Sequence, residues 1–116
     1  MRTLRSLLVL LMLCVGGIAC SRSGTLSACT PSFPTQTAVL KDFAFEPACI
    51  GVPRGTHLTL QNTGSTEHTF TIKGTSVDQK IDAGAIGEVS FAGIAPGTYA
   101  VVCTLHPQMT ATLQVT

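Results

Sequence analysis

From Thr37 to Val115 the apolar residues recur at every second position, in short runs separated by Gly, Pro and Asn. Val39, Phe43 and Phe45 alternate, with Lys41 the polar exception, until Glu46-Pro47-Ala48 turns the chain. Ile50 and Val52 begin a second run, broken by Pro53-Arg54-Gly55. Leu58, Leu60 and Asn62 alternate against His57, Thr59 and Gln61, and Asn62-Thr63-Gly64-Ser65 reads as a turn. His68, Phe70 and Ile72 share one face of the next run, and Gly74 to Gly84 reads as an irregular connection. Ile86, Val89 and Phe91 follow, then a strand over Thr98–Cys103 and a last one over Thr110–Val115. Alternation of this kind is the signature of strands with one buried face.

No segment carries a sustained 3.6-residue period, and the connections are too short for βαβ units. About eight short strands at this spacing predict an all-β fold, a Greek-key antiparallel β-sandwich or barrel. The domain is expected to span residues 37–116.

The first 36 residues follow other rules. Met1-Arg2-Thr3-Leu4-Arg5 is short and basic, Leu7 to Val15 is almost continuously apolar, and Gly16-Gly17-Ile18-Ala19 precedes Cys20. The apolar run is short for a membrane span and reads as a secretory signal over residues 1–19. Ala19-Cys20 resembles the lipobox of bacterial lipoproteins, which implies lipidation of Cys20, although Gly17 stands where that family most often has leucine. Ordinary cleavage nearby and a retained anchor helix are the alternatives. Residues 20–36, rich in Ser, Thr and Pro, read as a flexible tether. The expected location is outside the cytoplasmic membrane, lipid-anchored and facing the periplasm or the cell exterior.

Without residues 1–19, five basic side chains face six acidic ones, a net charge of −1 with no basic run. Nucleic-acid binding has no electrostatic footing on such a surface. Among the cysteines, Cys14 leaves with the signal and Cys20 is the lipidation candidate. Cys29 and Cys49 are an even pair in an exported chain, for which a disulfide is expected, two free thiols being the alternative.

The remaining cysteine carries the chemistry. Cys103-Thr-Leu-His106-Pro-Gln-Met109 offers a thiolate, an imidazole and a thioether at C-x2-H-x2-M spacing. Tyr99, Val101 and Cys103 share a strand face, as do His68, Phe70 and Ile72, so both Cys103 and His68 point inward. His68, Cys103, His106 and Met109 form the ligand set of one mononuclear copper ion: a thiolate and two imidazoles with a weak axial thioether. The soft Met109 favours copper over zinc. His57 alternates with polar residues and reads as solvent-facing, and Glu67 as a surface charge.

On these motifs residues 37–116 resemble the small cupredoxins, the plastocyanin- and amicyanin-like blue copper proteins. Phe43-Ala-Phe45-Glu-Pro47, Leu60-Gln-Asn62, Glu67-His68-Thr69-Phe70 and Pro96-Gly97-Thr98-Tyr99 leading to Cys103 carry the likeness. The two-residue gaps on either side of His106 are similar to the short amicyanin-type loop. The resemblance implies a type 1 copper on His68, Cys103, His106 and Met109. Three positions depart from the family pattern: Thr69 for the usual Asn, Val101 for an aromatic, and Ala111 for a common glycine. The Thr69 N–H is still expected to reach the Cys103 sulfur, and its hydroxyl to take over part of the asparagine's role.

The expected function is single-electron transfer, not enzymatic catalysis, by a monomer. Redox partners such as a cytochrome, oxidase or dehydrogenase would dock near His106, on a rim of Leu105, Pro107, Pro47 and Ala48. The alternative is extracytoplasmic copper delivery, for oxidase assembly or copper homeostasis.

Overall fold

A computed structural model of the chain describes residues 29–31 and 33–116. The signal segment and Cys20 lie outside the described residues. Nine strands make up the described part: β1 (Thr37–Lys41), β2 (Ala44–Glu46), β3 (Cys49–Val52), β4 (His57–Asn62), β5 (His68–Thr71), β6 (Asp78–Ile81), β7 (Ile86–Ser90), β8 (Gly97–Cys103) and β9 (His106–Val115). They form two facing sheets, ordered β2-β1-β4-β7 and β3-β9-β8-β5-β6. The all-β sandwich expected from the alternation is therefore the fold.

The sheets are mixed, not purely antiparallel. β1 lies parallel to β4, and β3 parallel to β9. In both cases the intervening chain crosses to the other sheet before returning, which permits a parallel neighbour without a helical crossover. The alternation around Phe43 also needs correction. Residues 39–45 are not one strand but a hairpin, in which Leu40 pairs with Phe45 and Lys41 with Ala44 across a turn at Asp42-Phe43. Ala38 and Leu40 face the core, whereas Lys41 and Phe43 are exposed. Reversing the chain at Asp42-Phe43 breaks the period of two, so Phe43 leaves the core face on which Phe45 remains. The expected irregular connection after Gly74 contains β6, paired with β5 from His68↔Ile81 to Thr71↔Asp78.

The core lies between the sheets. Leu40, Leu58 and Leu60 of one sheet meet Ile50, Phe70, Val101 and Leu113 of the other. Phe70 is its aromatic centre, with Phe45 and Phe91 rings at 5.8 and 6.5 Å. Asn62 is buried yet fully bonded: its amide donates to Thr66 O at 2.9 Å and Ile81 O at 3.0 Å, and its carbonyl accepts the Gly64 N–H at 2.9 Å. That side chain shapes the β4–β5 turn leading into His68, a role its place in the alternation did not reveal.

The described end of the tether is docked on the sandwich. Thr35 N–H donates to Gly51 O at 2.7 Å, and Gly51 N–H to the Thr35 hydroxyl at 3.1 Å. A Cβ at Gly51 would stand 2.6 Å from Pro31 Cγ and 2.7 Å from Phe33 Cδ2, so the glycine lets the arm lie flat on β3. Cys29 and Cys49 are joined by a disulfide, with Cα atoms 5.7 Å apart.

Candidate metal centre

Three neighbouring strands bring the candidate ligands to one end of the second sheet. His68 opens β5, Cys103 closes β8 and His106 opens β9; β5 and β9 both run antiparallel to the intervening β8. The loop expected to extend over Cys103–Met109 is tighter than that. Cys103 pairs directly with His106, and the register then slips so that Val102 faces Thr110. Pro107-Gln108-Met109 is the excess on the β9 side, and Pro107 has no N–H to leave unpaired there.

The three polar ligand atoms converge. His68 Nδ1 and His106 Nδ1 are 3.2 Å apart, and Cys103 Sγ lies 3.9 Å from the first and 3.5 Å from the second. A point equidistant from the corners of that triangle is about 2.1 Å from each, within the range of metal bonds to imidazole nitrogen and thiolate sulfur. Among the described residues, this is the cluster of ligating side chains that fits a metal ion. His68 and Cys103 are buried and His106 is half-buried. Met109 is fully buried near the start of β9, three residues beyond His106. A thiolate with two neutral imidazoles is a soft-to-borderline donor set suited to copper.

Thr69 fulfils the role expected of it. Its N–H donates to Cys103 Sγ at 3.3 Å, placing a positive dipole end against the sulfur. Its hydroxyl oxygen accepts the Thr104 N–H at 2.9 Å, tying down the residue after the cysteine. Thr71 Oγ1 lies 3.0 Å from Thr69 Oγ1 and donates to Asp78 Oδ1 at 2.9 Å, anchoring the pair to β6. Val101 and Ala111 are both buried in the core.

Two residues at the site escaped the sequence reading. Phe43, 47% exposed, rests its ring 4.7 Å from His106 and 6.0 Å from His68. Asp42 Oδ1 lies 2.8 Å from His68 Nε2, while Oδ2 accepts the Ser65 N–H and the Ser65 hydroxyl, each at 2.7 Å. The Ser65 N–H and hydroxyl, with His68, hold the Asp42 carboxyl down at about 2, well below the usual carboxylate range, against the opposing effect of desolvation. Both residues occupy one hairpin turn, far along the chain from the histidines they touch (26 positions separate Asp42 from His68), and no local pattern marks such a contact.

His57 is exposed, as expected, and pairs with Glu88 at 2.8 Å. Glu67 turns to Lys80 at 2.9 Å, which holds its carboxyl below the usual range. Of the expected apolar rim, Leu105 and Pro107 are exposed beside His106 in the chain, and Pro47 and Ala48 are exposed in the β2–β3 turn.

Residues 7–115 match the sequence model of the cupredoxin-like domain, and the chain belongs to that family. No curated protein sequence matches it. Among solved structures, an amicyanin variant in its reduced Cu(I) form aligns with a TM-score of 0.61 at 17% identity, over 76% of this chain and 86% of that one. A purple cupredoxin from Nitrosopumilus maritimus aligns at 0.60 and 18% identity, over 70% of this chain and 99% of the other. A copper-containing nitrite reductase from Thermus scotoductus aligns at 0.59 and 20% identity, over 79% of this chain but only 24% of the reductase. At these identities the likeness concerns the fold. Within it, the chain has the His/Cys/His/Met set typical of type 1 copper.

Proposed function

We propose that this protein carries single electrons between redox partners outside the cytoplasmic membrane, using one type 1 copper held by His68, Cys103, His106 and Met109. The observation that carries the reading is the convergence of two imidazole nitrogens and a thiol sulfur within 3.9 Å, with the Thr69 N–H aimed at the sulfur. Bound copper would supply a Cu(II)/Cu(I) couple whose two states both accept this donor set. The chain's own part is to keep the ligands in place. Cys103 and His106 are locked on a paired hairpin, His68 is fixed by Asp42, and burial excludes water from the sulfur.

His106 is the ligand with a solvent-facing edge, surrounded by exposed Phe43, Leu105 and Pro107. This apolar rim supports docking of a redox protein there. An N-terminal lipid on Cys20 would keep the domain at the membrane surface facing those partners.

The test is to load the chain from Ser21 with Cu(II) and record the visible spectrum. An intense copper–thiolate charge-transfer band, absent from Cys103→Ser, with reversible voltammetry is the expected result. A colourless protein would remove the redox reading; colour with very weak Cu(II) retention would favour copper delivery. Mass spectrometry of the mature N-terminus tests the anchor, with a diacylglyceryl-modified Cys20 expected.

A further inference from the structure

The outer nitrogen of His68 meets a carboxylate held in place from its other side. A carboxylate only accepts, so the hydrogen bond at 2.8 Å puts the imidazole proton on Nε2 and leaves Nδ1 free to face Cys103 and His106. Asp42 cannot rotate away, because Oδ2 accepts two bonds from Ser65. Room for this approach comes from Gly64: a Cβ there would stand 2.2 Å from Asp42 Oδ1 and 3.0 Å from His68 Nε2. Three separate segments, the β1–β2 turn, the β4–β5 turn and the first residue of β5, thus converge on one charge contact.

We propose that Asp42 is a positioning residue whose negative charge, delivered through His68, lowers the reduction potential of the site; this rests on the copper reading above. A carboxylate behind a ligating imidazole fixes its tautomer and increases its donor strength. The added negative charge favours the doubly charged ion over the singly charged one, so Cu(II) is stabilised more than Cu(I). An amide at position 42 cannot reproduce the arrangement. Its oxygen can serve His68 or Ser65, and the NH2 group then faces a donor on the remaining side.

The test compares wild type with Asp42→Asn, Asp42→Ala and Gly64→Ala. Cu(II) affinity should fall about tenfold in both Asp42 variants with Cu(I) affinity nearly unchanged, which converts to a potential about 59 mV higher. Gly64→Ala keeps the carboxylate but displaces it, and should move the potential in the same direction. Variants that lose stability while keeping the wild-type potential would show a purely structural contact and overturn the proposal. A readout without copper accompanies these: nitrogen-15 imidazole spectra of the metal-free protein should show His68 protonated at Nε2, with that proton exposed to exchange in Asp42→Ala. Protonation at Nδ1 instead would also overturn it. If wild type takes up no copper, the electron-carrier reading fails, while the imidazole spectra still decide whether Asp42 sets the His68 tautomer.

Discussion

Thr69 holds Thr104 through its hydroxyl, which accepts the Thr104 N–H at 2.9 Å and lies 3.2 Å from the Thr104 hydroxyl, while its own N–H reaches the sulfur of the preceding Cys103 at 3.3 Å. One residue on β5 therefore fixes both the cysteine and the turn that follows it. The N–H contact belongs to the backbone and survives any side-chain change; the hydroxyl contact does not. Thr69→Val, which preserves shape and β-branching, should leave the Thr104 N–H without its acceptor and cost about 1–2 kcal/mol. Urea unfolding of the metal-free protein measures this. Thr69→Ser should recover most of the loss, and an equal loss in both variants would locate the effect elsewhere.

Phe43 shields His106 from an exposed position, so its removal should affect the site more than the fold. Phe43→Ala is expected to cost only about 1 kcal/mol, because the residue is already 47% exposed. Copper should pass to a competing chelator severalfold faster, as the half-buried imidazole loses the ring 4.7 Å away. Stopped-flow transfer kinetics decide it, with unchanged rates counting against a shielding role.

The Cys29–Cys49 bridge closes a 20-residue separation and pins the arm to β3. Replacing both cysteines by alanine should destabilise the domain by about 3 kcal/mol, the chain-entropy value for a loop of this size. The copper–thiolate band should persist, since neither cysteine is among the proposed ligands. Loss of the band in a still-folded double variant would show that the arm helps hold the site.

Phe70 is two residues beyond His68 on the same face of β5, fully buried between Phe45 and Phe91. Phe70→Ala should cost about 3–5 kcal/mol through lost burial and the cavity left behind. Denaturation midpoints of metal-free and copper-loaded protein should both fall, showing that the scaffold under the histidine is common to both states.

The chain order alone determined the sandwich and the ligand candidates. Alternation around Leu58, Leu60, Val101 and Leu113 reports which side of a strand is buried, and Cys103, His106 and Met109 lie close enough in sequence for their spacing to be read directly. Even the Thr69 contacts could be anticipated, because the residue stands where the cupredoxins it resembles usually carry Asn. What required tertiary structure is whatever joins distant segments. The phase of β1, the exposure of Phe43 and the parallel pairings depend on where the chain reverses and which sheet it enters next. Asp42 reaches His68 only because a hairpin turn, the Asn62-shaped β4–β5 turn and the missing Cβ of Gly64 bring two backbones together. Local periodicity encodes which face is buried, not which distant turn comes to lie against it. The candidate ligands were therefore readable from the sequence, and the charge placed behind one of them emerged only from the fold.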